Sequence, residues 1–159
     1  MKSVRALLHA HPVFVSLEAE DLDRMAKHAV LRDLEKGEAL VVQGAVWRYL
    51  FLVAEGELDA VKVSSEGRSL LVTTFRAGEL FWGPAFFQDG APMAATVEAR
   101  RPARVYLWQR EQLEPLILAH SKVGWELCRL MIRRMQRASA VVDELAFQPV
   151  TARLARLLL

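Results

Sequence analysis

The sequence is poorest in thiols: Cys128 is its one cysteine. That excludes an intrachain disulfide framework and any site built from several cysteines, whether zinc or iron–sulfur. Long apolar runs are missing as well. The longest, such as Tyr49 to Ala54, fall far short of the roughly 20 residues of a membrane-spanning helix. An excess of one charge is also lacking: 21 Lys and Arg against 19 Asp and Glu leave a net +2, which carries no argument for nucleic-acid binding by this chain itself. Arginine is nevertheless clustered late, at Arg129, Arg133, Arg134 and Arg137. The first residues, Met1 to Arg5, hold two positive charges but adjoin no long apolar segment or cleavage site, so a cytoplasmic protein is expected. Enzyme signatures are absent too. There is no nucleophile elbow, no His-Glu-x-x-His, no Walker loop and no Ser/His/Asp set. His9-Ala10-His11 has a metal-site spacing, but it lies in a helical segment where i and i+2 diverge. No enzymatic activity is expected.

What is present is a core-sized supply of apolar residues: 53% hydrophobic over 159 residues suffices for one domain with an appended helix. Val4 to His11 and Leu17 to Ala29 read as two short helices, interrupted at Pro12. Ser16 is the expected N-cap of the second, whose buried side would include Leu22, Met25 and Ala26. From Leu31 the pattern changes to period two. Strands are expected at Leu40–Gln43, Tyr49–Ala54, Leu58–Val63, Leu70–Phe75, Thr96–Ala99 and Ala103–Trp108, with glycines 37, 44, 56, 67 and 78 at the turns. Short strands at such regular spacing argue a barrel or jelly roll. A helix from Glu111 precedes a long one over Ser121 to Phe147. Along it Cys128, Met131, Met135, Ala138, Val142 and Leu145 recur at spacings of 3, 4, 3, 4 and 3, a coiled-coil seam that predicts a homodimer. Leu127, Leu130, Ile132 and Val141 widen the apolar surface, so the helix should serve both its own barrel and a twin. Cys128 is expected there as a buried small hydrophobe.

The stretch Gly78 to Val97 holds three glycines and two prolines between β-patterned runs and reads as a ligand-cradling loop. It resembles the phosphate-binding cassette of the cyclic-nucleotide-binding domain, with Gly83 on the cassette's first Gly, Asp89-Gly90 on its turn and Ala94 to Val97 on its closing strand. The resemblance implies that Glu and Arg should hold the ribose and the cyclic phosphate. Pro84 and Met93 stand there instead. The closing Leu145-Ala146-Phe147 and Val150 to Leu159 are similar to the hinge and first linker helix of the Crp/Fnr transcription regulators. That implies an α+β fold: an antiparallel β-roll, or double-stranded jelly roll, with N-terminal helices and a long C-terminal dimerisation helix. The expected division is a sensory β-roll over 1–118, a dimerisation helix over 119–147 and a hinge over 148–159. It also implies DNA binding through a helix-turn-helix domain not in this chain, with RNA polymerase as a partner.

Carried over by resemblance, the candidate ligand site is Phe81, Trp82, Gly83, Pro84, Ala85, Met93, Ala94, Ala95 and, on the long helix, Ser139. The cyclic-AMP receptors present Thr-Ser to the adenine where Ala138 and Ser139 stand here, so three of the four nucleotide contacts are missing. Losing the Glu and Arg contacts alone removes on the order of 3 to 6 kcal/mol, and no cyclic-AMP response is expected. The apolar character of Phe81, Trp82, Phe86, Phe87 and Met93 resembles instead the haem-binding Dnr-type and CooA-type sensors. On that resemblance haem is a candidate cofactor and His11, followed by Phe14 in a His-x-x-Phe setting, its candidate axial ligand. The ordinary alternative is that these side chains fill the β-roll, and the second functional expectation is a stand-alone dimeric regulatory module with a vestigial pocket.

Overall fold

A computed structural model describes residues 2–147 and, beyond them, Leu154, Ala155 and Leu157. In chain order the elements are α1 (Val4–Ala10), α2 (Ala19–His28), β1 (Val30–Leu34), β2 (Ala39–Val41), β3 (Tyr49–Glu55), β4 (Glu57–Val63), β5 (Ser69–Arg76), β6 (Leu80–Trp82), β7 (Thr96–Ala99), β8 (Ala103–Gln109), α3 (Arg110–Ala119) and α4 (Ser121–Phe147). The strands form two antiparallel sheets, ordered β1-β8-β3-β6 and β2-β7-β4-β5. This is the α+β architecture expected, a β-roll flanked by helices and followed by one long helix. The expected hinge falls outside the described residues apart from Leu154, Ala155 and Leu157.

Strand β3 shows how the layers are built. Its Leu50 and Leu52 face the helices, in a cluster with Leu8, Phe14, Met25, Trp108 and Leu127. Phe51 and Val53 face the second sheet, in a cluster with Leu58, Val97 and Val105. A strand buried on both faces reads as an unbroken apolar run rather than an alternation, which is why Tyr49 to Ala54 is so hydrophobic. At the β3–β4 turn Gly56 has φ +83°, and a Cβ there would lie 2.3 Å from the carbonyl oxygen of Pro102. Both the backbone sign and the space demand glycine. The other glycines expected at turns, 37, 44, 67 and 78, share the positive φ.

The N-terminal helices close one face of the first sheet. Ser3 caps α1 by accepting from the Ala6 N–H. Helix α2 starts two residues later than expected, and its cap position is Glu18, with no side-chain bond, rather than Ser16. The cause is a run of turns: the N–H groups of Phe14 and Val15 donate to the His11 carbonyl and that of Leu17 to Phe14, consuming the stretch in which Ser16 lies. The fully buried Trp108 of β8 donates its indole N–H to the Met25 carbonyl at 2.8 Å, fastening α2 to the sheet. Gln109 and Gln112 form a reciprocal capping box at the start of α3.

Helix α4 has two faces. Val123 and Leu127 are buried and Leu130 and Arg134 half-buried, at spacings of 4, 3 and 4, against the domain. On the other face Cys128, Met131, Met135, Ala138, Val142 and Leu145 are exposed in the single chain. Cys128 is thus not buried by its own domain: it follows Leu127 around the helix and points away from the sheet. Beyond Arg134 nearly every residue to Phe147 is exposed, so the second half of α4 projects from the body.

Candidate functional site

The region Gly78 to Val97 folds as strand, tight helical turn, loop and strand. Gly78, at φ +88°, donates its N–H to the Val53 carbonyl, and the Glu79 carboxylate accepts from the Arg76 N–H at 2.7 Å, closing the turn into β6. The Glu79 carboxylate thus bonds backbone rather than a neighbouring arginine side chain. After β6 comes a short 3-10 helix, Pro84–Phe86, with Pro at its first position, where the missing N–H leaves no gap in the hydrogen bonding. The return strand is held by Met93, whose N–H donates to Ala45 while its carbonyl accepts from Gly44, both at 2.8 Å. Asp89 at the loop tip is clasped by Arg110, which also bonds Glu114 at 3.1 Å; Arg48 bonds Glu111 at 2.9 Å beside it.

The interior beneath this loop is occupied by side chains. The Phe81 ring is stacked between Phe51 at 4.6 Å and Phe75 at 4.1 Å, with interplanar angles of 15° and 10°. Gly83 is buried, and a Cβ on it would meet the Trp47 carbonyl oxygen at 2.4 Å and the Met93 sulfur at 3.0 Å. Its φ of −75° is ordinary, so space rather than conformation selects glycine. Met93 is 7% exposed and belongs to the same apolar cluster as Phe81 and Ala95. Ala85 is also buried, Trp82 half-buried, and Pro84, Ala94 and Ser139 exposed. The structure therefore packs Phe81, Met93 and Ala95 together between the sheets, with Gly83 against Met93, while Trp82 turns to the helix-side cluster and Ala85 is buried in the 3-10 turn. The Trp47 indole nitrogen is buried among them with no hydrogen-bond partner among the described residues.

A residue assigned no role from sequence dominates the edge of this region. The Arg134 guanidinium reaches from α4 to lie 5.1 Å from the Trp82 ring centre and 5.7 Å from that of Phe75, and donates to the Leu80 carbonyl. Burial lowers its pKa, with Glu79 acting in the opposite sense. The one signal that could have found it is the 4-3-4 spacing that puts it on the same α4 face as Val123, Leu127 and Leu130. His11 is near enough to feel it: burial, then the charges of Arg134 and Arg133, push its pKa down to about 4. The His11 Nδ1 accepts from the Val13 N–H at 3.2 Å, so the neutral ring carries its proton on Nε2.

The sequence model of the cyclic nucleotide-binding domain matches residues 31–120, more than half of the chain. The chain belongs to that family. Within it, this cyclic-nucleotide-binding-like domain is of the Crp/Fnr type. It is 26% identical to the cyclic AMP receptor protein of Thermus thermophilus, over 93% of this chain and 68% of that protein. It is 23% identical to the cAMP-activated global transcriptional regulator CRP of Pasteurella multocida, over 87% of this chain and 66% of that protein. The chain thus spans about two thirds of the length of these relatives. Among solved structures, the Thermus thermophilus catabolite activator protein superposes with a TM-score of 0.72 at 26% identity, covering 86% of this chain and 63% of that one. The sensor domain of the transcriptional regulator DNR from Pseudomonas aeruginosa shares the fold, with a TM-score of 0.73 at 18% identity over 91% of this chain and 94% of that one. Members of the family such as these are regulators. Among the described residues no helix is long and apolar enough to cross a membrane, and no group of three or more His, Cys, Asp and Glu could hold a metal ion.

Proposed function

We propose that this domain is the effector-sensing and dimerisation portion of a Crp/Fnr-family transcription regulator that does not respond to cyclic AMP. The observation that carries the reading is Met93: where the family's cassette would present an arginine to a cyclic phosphate, this side chain is packed into the apolar cluster beneath Gly83. A thioether offers no donor to a phosphate. Pro84, in the place of the ribose-binding Glu, points no carboxylate anywhere. The β-roll over 1–118 senses, the helix over 119–147 pairs with its copy, and 148–159 leads to DNA-binding machinery outside this chain, in the cytoplasm and within reach of RNA polymerase. Pairing through Met131, Met135, Val142 and Leu145 would cover apolar side chains that are 41 to 62% exposed in the single chain. A signal then has to favour one arrangement of the paired helices over another, since a ligand shifts only an equilibrium whose two states it binds differently.

Two measurements test this. Calorimetry with cyclic AMP should show no binding up to about 1 mM, a level at which even weak sites register. Sedimentation should give a dimer that Met135→Glu turns into a monomer. Tight cyclic-AMP binding, or a wild-type monomer, would refute the respective half of the reading.

A haem-sensing role ranks second, and the geometry at His11 opposes it. A metal-ligating histidine donates its other ring N–H to an acceptor, whereas the His11 Nδ1 itself accepts from the Val13 N–H. Ligation through Nε2 would need the proton moved to Nδ1 and that bond broken. A saturable hemin titration altered by His11→Ala would restore the haem reading.

A further inference from the structure

We propose that the point where α4 grips the β-roll is a receptor for an oxyanion carried on a flat apolar body, an aromatic carboxylate or phosphate ester, with Arg134 taking the charge. The inference rests on reading this domain as an effector sensor, and it moves recognition from the cassette to the helix.

Arg134 is an unusual arginine for this molecule. Arg110, whose side chain is 16% exposed, is clasped by Asp89 and Glu114, and Arg104 by Asp33. Arg134 is likewise drawn out of water, yet among the described residues no carboxylate lies within ion-pair distance of it. It uses a donor on the Leu80 carbonyl, while a guanidinium carries five N–H donors in a fork that matches an oxyanion. The surroundings reinforce the demand. Arg133 and Arg137 add like charge from the same helix, and His11 stays neutral beside them, leaving Glu79 as the nearby counter-charge. A desolvated cation among like charges is stabilised by whatever anion arrives.

The apolar half of the ligand follows from what lies under the guanidinium. Trp82 is half-buried on the helix-facing side of β6, and the exposed Phe87 meets it at 5.6 Å in a T-shaped contact. Trp82 and Phe87 make an aromatic ledge on which a flat ring can lie while its acid group reaches Arg134, whose guanidinium Phe75 flanks from the inter-sheet side. Binding there acts directly on the helix: Arg134 is the last half-buried α4 side chain before the exposed run 135–143, and an anion competes with the Leu80 carbonyl for its donors.

Calorimetry on the full chain with 2-naphthoate, 2-naphthyl phosphate and the uncharged 2-naphthamide tests the proposal. At least one acid should bind saturably, the amide about 10-fold or more weaker. Arg134→Gln should weaken the acid by about 10- to 100-fold, and Arg134→Lys, a point charge without the fork, by less. Whichever acid binds tighter identifies the source of the anion. No binding of either acid below about 1 mM, an amide as tight as the acids, or an unchanged Arg134→Gln overturns the proposal. Should Arg134→Gln lose its thermal transition, the Lys variant decides: an affinity equal to wild type overturns the assignment. Sedimentation of the same samples separates the two readings. A dimer that ignores both acids sinks only this inference, whereas a monomer sinks the dimerisation half of the reading on which it rests.

Discussion

Replacing Phe81 by Ala distinguishes a filled β-roll from an open pocket. The ring is 3% exposed and stacked on both faces, by Phe51 and by Phe75, which join the two sheets through it. Removing it deletes the transfer free energy of a buried aromatic and leaves a void walled by β-sheet, which relaxes little. Comparable truncations cost about 3 to 5 kcal/mol. Against a total stability of roughly 5 to 15 kcal/mol, that is a large fraction. For a chain of this size each kcal/mol lowers Tm by about 2 to 4 °C, so a fall of about 6 to 20 °C is expected. Phe81→Leu keeps most of the apolar volume and loses chiefly the two ring contacts, for about 1 to 3 kcal/mol. Urea unfolding at one fixed protein concentration reads both variants, since the pairing proposed for α4 would make the midpoint concentration-dependent. A loss below about 1 kcal/mol for Phe81→Ala would refute the reasoning, because a ring lying over an unfilled pocket has little packing to lose.

Gly83→Ala should destabilise by about 1 to 3 kcal/mol, because its Cβ would fall 2.4 Å from a backbone oxygen that cannot swing aside; an unchanged urea midpoint would show that the two segments separate freely. His11 makes acid stability measurable. Its folded pKa of about 4 lies below its ordinary 6.5, so the unfolded chain binds a proton that the folded chain refuses. Its contribution is therefore complete above pH 6.5 and is lost as the pH falls towards 4. His11→Gln should flatten that part of the stability–pH curve, and a curve of unaltered slope would mean that His11 titrates normally.

The architecture was legible in the sequence where local chemistry and tertiary demand coincide. Glycines 37, 44, 56, 67 and 78 marked turns because each adopts a positive φ that other residues resist. Helix α4 starts at Ser121 as its pattern announces and runs through Phe147, the last of the continuously described residues, with no proline inside that span. Elsewhere local signals misled or fell silent. Ser16 looks like a cap, but the turns that start at His11 claim its stretch of backbone. The three residues of β6 passed for loop because they lie among glycines and prolines, and only their pairing with Leu50 to Leu52 makes them strand. At the candidate site, the sequence already places Pro84 and Met93 where the resemblance calls for Glu and Arg. That Phe51, Phe75 and Phe81 stack is a fact of three strands brought together, and no spacing reports it. Arg134 was visible as one of a cluster of arginines; its contact with the Leu80 carbonyl spans 54 residues of sequence and leaves no local mark.

The bond between Trp108 and Met25 has a bearing on how the chain is made. It joins residues 83 positions apart, and β1 pairs with β8 over a similar interval, Val30 opposite Leu107. On a ribosome adding about 5 to 20 residues per second, the N-terminal helices and β1 emerge roughly 4 to 17 seconds before the strand they need exists. Through that interval Leu8, Phe14, Leu22 and Met25, all destined for the interior, have only one another to cover them. Completion of the first sheet is therefore timed by the synthesis of β8, and the nascent amino terminus waits on it with its apolar side chains uncovered.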